Sequence, residues 1–179
     1  MLSHAFINHV WHGLTRPVVW LWPVGFLLGV TGSQVAYGWR EPRLWIPDLV
    51  TGWVFISCGL IGWARRPESR SGSLLTATGF AWFAGNFVGV PGLVGWLAAH
   101  ALFLHRGTLC HLLATFPNGR PASTFDRVAA TLGYLVALNT VLSSNNWATI
   151  TVAVLLVAAC AHNYRTASGR FRRARMLSL

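Results

Sequence analysis

Residues 46–64 read IPDLVTGWVFISCGLIGWA, an apolar run whose one charge, Asp48, follows Pro47 at its start. A helix of about 20 apolar residues matches the hydrocarbon thickness of a bilayer, and this run has that length. Five more runs share its character, at 17–37, 73–90, 92–116, 128–142 and 147–162. Together they take up most of a chain of 179 residues that is 54% hydrophobic and 10% charged. A water-soluble domain carries about 25% charged residues. The expected fold is an all-α integral membrane protein: a six-helix transmembrane bundle over 17–164, an N-terminal interfacial amphipathic helix over 1–16, and a basic cytoplasmic tail over 165–179. No stretch remains for a separate soluble catalytic domain.

The net charge of +10 comes from arginine, since the chain has no lysine. On a soluble protein that balance points to nucleic acid. Here the arginines flank apolar runs, so nucleic acid is set aside as a partner. Arg16, Arg65, Arg66, Arg70, Arg120, Arg127, Arg165, Arg170, Arg172, Arg173 and Arg175 fall on alternate connectors and at the two ends, whereas Arg40 and Arg43 fall on a connector of the other set. The positive-inside bias then places both termini in the cytoplasm of a multi-pass plasma-membrane protein. The tail would meet anionic inner-leaflet lipids at about 1 kcal/mol per charge.

Tryptophans mark the same boundaries. Trp20, Trp22 and Trp63 lie near one set of run ends and Trp39, Trp45, Trp96 and Trp147 near the other, as in an aromatic belt. Trp53 and Trp82 lie deeper and are expected between helices. Cys58, Cys110 and Cys160 sit singly inside apolar runs, which is no disulfide framework; they are expected to pack as small apolar residues. Leu2, Phe6, Val10 and Leu14 recur every four residues, the pattern of a helix lying in the interface. The apolar stretch after them is too long for a signal peptide, so the first run is expected to stay as an anchor.

The run 92–116 is the unusual one, because it holds His100, His105, Arg106, Cys110 and His111. An arginine near mid-bilayer costs several kcal/mol unless it faces protein, water or a partner. His105-Arg106-Gly107 is expected to break the helix, since glycine permits irregular backbone. Two readings of Arg106 stay open: a signal-responsive group paired with Asp48, or a guanidinium that only bonds carbonyls freed by the bend. His100 and His111 are eleven apart, on nearly one face of a continuous helix and about 16 Å apart in height, so they cannot share a metal. A His111–His162 haem pair is the best cofactor candidate; without matched histidines on several runs, no cofactor and no metal is assigned.

Ala77, Ala81, Gly85 and Gly89 repeat every four residues, a small-residue ridge for close helix packing. The ridge serves contacts inside the bundle or, as the minority reading, a homodimer or a partner membrane protein. Gly25 and Gly29 form a similar pair, and Asn86 beside the ridge is placed to hydrogen-bond across helices. Phosphate loops, nucleophile elbows and HExxH patterns are missing, so no enzyme activity is expected.

Pro47-Asp48, Gly52-Trp53, Gly59, Gly62-Trp63 and Arg65-Arg66-Pro67, then Gly79, Trp82-Phe83 and Asn86, and finally His105-Arg106-Gly107, His111-Leu112-Leu113 and Phe116-Pro117-Asn118-Gly119-Arg120 resemble the membrane-spanning N-terminal sensor region of actinobacterial two-component sensor histidine kinases. The all-arginine usage fits a GC-rich source. The resemblance implies a multi-span input region that passes a signal to a cytoplasmic kinase. No phospho-accepting His box or ATP lid occurs in this chain, so kinase activity is not implied. The function expected is a sensor-like membrane module of signal transduction, with His100, His105, Arg106, His111, Asp48 and Asn86 as ligand- or signal-responsive candidates. Arg106 and its flanking histidines would respond, and the sixth run would carry the output. A small transporter or channel, or a subunit of a larger membrane complex, are the alternatives.

Overall fold

The computed structural model describes residues 17–166. Every element among them is helical: α1 (Leu21–Tyr37) after a 3-10 turn Pro17–Trp20, α2 (Pro42–Arg65), α3 (Ser71–Ala84) followed by a 3-10 turn Gly85–Phe87, α4 (Leu93–Ala101), α5 (Leu104–Thr115), α6 (Thr124–Leu138), α7 (Thr140–Ser144) and α8 (Asn146–Thr166). The all-α expectation is met in these residues. The expected interfacial helix 1–16 and most of the basic tail lie outside them.

Each of the six apolar runs is helical, but three are interrupted. The third tightens into the 3-10 turn at Gly85. The fourth breaks at Leu102–Phe103, so that α4 and α5 are separate helices. The expected breaker, Gly107, lies instead inside α5, where an added Cβ would meet Tyr134 and Ala137; the glycine is used for close packing. The fifth breaks at Asn139, whose side-chain Oδ1 accepts the Leu142 N–H at 3.1 Å and starts α7. Asparagine favours such caps because its side chain competes with the helix for backbone donors. Two helices, α2 and α8, are long and apolar enough to cross a membrane, with mean hydropathies of 1.6 and 1.4. Six spans were expected, the fourth with a break at His105-Arg106-Gly107; the other runs are shorter or broken.

Successive long helices run antiparallel. Gly25 lies against Ile56 and Gly29 against Leu49 and Trp53, so α1 and α2 are opposed. In the same way Gly72 meets Trp63 and Gly52 meets Phe83 across α2 and α3. Thr78 bonds Thr108 while Gly85 faces Leu102, which opposes α3 to α5. Asp126 at the start of α6 bonds Asn163 near the end of α8.

The tightest interface joins α2 to α3. A Cβ on Gly59 would fall on the Thr76 backbone, and one on Gly72 on the Trp63 backbone. Residues 72, 76, 79 and 83 form this contact. The expected ridge therefore needs correction: Ala77 and Gly89 are exposed, Ala81 is buried, and Gly85 faces Leu102. A neighbouring stripe of α3, with spacings of four, three and four, carries the contact, and Gly72 and Gly79 flank Thr76 there. Its threonine hydroxyl bonds inward, to the Gly72 carbonyl at 2.9 Å, and so does not keep the helices apart.

The buried side chains are small or few: Leu49, Ile56, Leu60 and Phe83 in one cluster, Ala114, Ala129 and Ala159 in another. Large apolar side chains face outward on α1, α2, α6 and α8, among them Phe26, Leu27, Val50, Val54, Leu135, Val154 and Val157, the last 68% exposed.

One end of the bundle is tied by polar groups. The Ser69 and Ser71 hydroxyls donate to the Pro117 carbonyl at 3.0 and 2.6 Å, and the Arg70 N–H donates to the Asn118 carbonyl at 2.9 Å. Gly119 turns there with φ +67°, a conformation that favours glycine. Arg65, Arg66, Arg70, Arg120, Arg127 and Arg165 gather at this end, while Arg40 and Arg43 lie at the other.

Gly72→Val should force the α2–α3 backbones apart at a cost of about 1–3 kcal/mol. Ala77→Val, on the exposed side of the same helix, should leave the thermal midpoint unchanged. Equal midpoints for the two variants would contradict the assigned interface.

Candidate functional site

Asp48 follows Pro47 in the second turn of α2, on the stripe that continues through Gly52 toward α3. That stripe brings its half-buried carboxylate against the last turn of α3 and the 3-10 turn after it. Trp82 and Asn86 are four residues apart and so share a face. Trp82 Nε1–H donates to Asp48 Oδ1 at 2.8 Å, and Asn86 Nδ2–H donates to Asp48 Oδ2 at 2.7 Å. Both carboxylate oxygens are thus held by neutral donors. Hydrogen bonds to a charged acceptor are the stronger kind, and this pair fixes both the carboxylate plane and the Trp82 indole.

His105, in the first turn of α5, lays its imidazole edge-on to Trp82, with ring centroids 4.9 Å apart and planes at 65°. Phe55 of α2 flanks the indole from another side. Asp48, Trp82, Asn86 and His105 line a cleft of about 420 Å³ together with Val35, Ala36 and Tyr37 of α1, with Gly85, Val88 and Gly89, and with Leu102. The cleft lies at the end of the bundle opposite the arginine cluster. α1, α2, α3 and α5 all contribute to it.

Asp48, Asn86 and His105 therefore meet as members of one site. Trp82 and Tyr37 join them and were not read as site residues. Trp82 had been noted as deep and expected between helices; its spacing of four from Asn86 was the signal that both could reach one acceptor.

Arg106 does not join the site. The helix break at Leu102–Phe103 sets it at the level where α6 ends, and its side chain points toward α7 while His105 points to Trp82. Its Nη1–H donates to the Ser143 carbonyl at 3.1 Å, and its guanidinium lies 4.4 Å from the Phe103 ring centroid. Of the two open readings, the Asp48–Arg106 pair is absent among the described residues, and Arg106 is exposed rather than buried. The plainer expectation, a carbonyl partner, describes Arg106 better, although the carbonyl belongs to α7 and not to the local bend. The Ser143 hydroxyl in turn donates to the Val136 carbonyl at 2.6 Å, and a small apolar cavity beside it joins Arg106 to Thr149, Val152 and Ala153 of α8.

The other histidines stand apart. His100, on α4, donates from Nδ1 to the Trp96 carbonyl at 2.8 Å and packs on the Trp96 ring. With the run broken, it no longer shares a helix with His111. His111 meets the Tyr134 hydroxyl at 3.3 Å, and His162 packs near Phe125, so the two imidazoles have different neighbours.

Asp126, in the first turn of α6, is a second carboxylate. It is 1% exposed. Its Oδ2 accepts the Ala122 and Ser123 N–H groups at 3.0 Å each, and the Ser123 hydroxyl accepts the Asp126 N–H, a reciprocal capping box. Its Oδ1 accepts from Asn163 Nδ2 at 2.6 Å, and the same amide reaches the Ala114 carbonyl. This network locks α5, α6 and α8 together. The spacing Ser123-Thr-Phe-Asp126 was the available signal.

Comparison with protein-family models, with curated proteins and with solved structures returns no match.

Trp82→Phe and Asn86→Ala should each remove one bond to Asp48 and cost about 1–3 kcal/mol. Thermal unfolding of the double variant should be non-additive, because both act on one carboxylate. Additive losses would mean that the two donors do not share it.

Proposed function

We infer that the chain is a membrane-embedded, sensor-like module: the cleft at Asp48 is its input and α8 its output. Support for the membrane comes from the packing. Glycine, alanine and threonine line many helix contacts around a small cluster of Leu49, Ile56, Leu60 and Phe83, while many leucines and valines, and Trp20, Trp96 and Trp147, face outward. Water would penalise so much exposed apolar surface, whereas lipid tails leave small residues and hydrogen bonds to hold helices together. With six membrane-embedded segments, one of them the paired half-helices α4 and α5, the arginine-rich end faces the cytoplasm and the Asp48 cleft opens toward the outer face.

The observation that carries the signalling reading is that two consecutive residues, about 100° apart around α5, reach different partners. His105 packs on Trp82 in the cleft, and Arg106 clamps the α7 carbonyl of Ser143, one turn before α8 begins. A change in the cleft that shifts the start of α5 must also move this clamp. The output would be a small shift of α8 and of the basic segment after it. This agrees with the resemblance to histidine-kinase sensor regions, in which the last span leads to the cytoplasmic part. The responsive centre moves from Arg106 to Asp48, Trp82, Asn86 and His105, with Arg106 as the link.

A second reading, a transport path, draws on the polar groups along α5: the Thr78–Thr108 pair, the His111–Tyr134 pair and Thr115. Liposome flux separates it from the first, since a sensor moves no solute.

Two measurements test the sensor reading. Cysteine labelling in intact cells should reach the connector at Arg40 and Arg43 and not that at Arg66–Arg70; the reverse pattern would sink the topology. In nanodiscs, Asp48→Asn should raise amide exchange in the first turns of α8, and Arg106→Gln should abolish that effect while leaving insertion intact. Unchanged α8 exchange in Asp48→Asn would refute the coupling.

A further inference from the structure

We propose that the Asp48 cleft binds a small alkylammonium cation, a protonated or quaternary amine with a short apolar substituent. This rests on the sensor reading above and names the class of ligand for its input site.

The argument begins with the carboxylate. Among the described residues its hydrogen-bond partners, Trp82 and Asn86, are neutral donors. The guanidinium nearest in sequence to the site, Arg106, is committed to Ser143. A carboxylate in a low-dielectric setting without a cation is costly, and neutral donors recover only part of its lost hydration. The cleft beside it therefore favours a positive charge over an anion or a neutral solute. Arg40 and Arg43 lie at this end and oppose that preference, with Glu41 between them in sequence; the larger arginine cluster lies at the far end.

The walls select the kind of cation. Trp82, Tyr37 and His105 supply aromatic surface, and Val35, Ala36, Val88 and Leu102 supply apolar surface. Indole and phenol faces attract ammonium groups through the ring quadrupole. Hard metal ions want six or more oxygens around them, and here both carboxylate oxygens already serve an N–H donor. A volume of about 420 Å³ is within the range of small-molecule sites and larger than a bare ion needs. Binding would pull on Asp48 and on the Trp82 ring together, and Trp82 touches His105, the first residue of the proposed relay.

The test is thermal unfolding of the full chain in nanodiscs, titrated with propylammonium chloride and with tetramethylammonium chloride. Potassium chloride at equal ionic strength and 1-propanol are the controls. The expected result is a saturable rise in the midpoint with the ammonium salts and none with either control. The midpoint of that titration should move at least about tenfold upward in Asp48→Asn. It should do the same in Val88→Trp, which fills the cleft without touching the hydrogen bonds of Asp48; each variant is read against its own unliganded midpoint. If Asp48→Asn does not fold, Val88→Trp decides. No saturable rise, an equal rise with potassium, an equal rise with propanol, or undiminished binding in the variants would each overturn the proposal. The exchange experiment on α8 uses no ligand. Intact coupling there with no ammonium binding would remove the ligand class alone, and lost coupling with ammonium binding would remove the relay alone.

Discussion

The close approach of α2 and α3 is the constraint on which the rest of the structure depends. Gly59 and Gly72 let backbone meet backbone at one end of the pair, and Gly52 admits the Phe83 ring further along. Helices this close have their relative height set within a fraction of a turn. That height puts Asp48 opposite Trp82 and Asn86. A wider separation would leave the carboxylate without its donors, and the cleft would lose the wall that Trp82 provides. The packing of glycines and the polar site are thus one arrangement.

Two polar centres hold the bundle at its ends. Near the arginine-poor end Asp48 joins α2 to α3, and at the other Asp126 joins α5, α6 and α8 through Asn163. They differ in their surroundings. Asp126 is closed, and its oxygens are filled by backbone N–H groups and an amide, as a structural cap requires. Asp48 borders open volume and is ringed by aromatic side chains. A carboxylate beside space is a place where something can bind; a carboxylate without space is a brace.

Much of this was legible in the chain, and the failures have physical causes. Asn86 was read as a donor across helices because an amide on an apolar run needs a partner, and it has one. Gly25 and Gly29 were read as packing residues and lie against Ile56, Leu49 and Trp53. The ridge on α3 was placed one stripe away, because several small residues recur there and spacing alone does not say which face meets a neighbour. Arg106 was placed in the interior because it falls near the middle of the run 92–116, and the break was expected at His105-Arg106-Gly107 rather than before it. The break at Leu102–Phe103 has no glycine, proline or asparagine to announce it, so the level of Arg106 could not be read.

Composition and periodicity determined that the chain is helical, where its long helices lie, and which connectors carry its arginines, because those properties follow from local backbone preference and from the pattern of apolar residues. Tertiary structure alone decided that Asp48 faces Trp82, Asn86 and His105 while Arg106 turns to Ser143. Partners this distant along the chain are chosen by the register between packed helices, and register is a property of complementary surfaces that no single segment encodes.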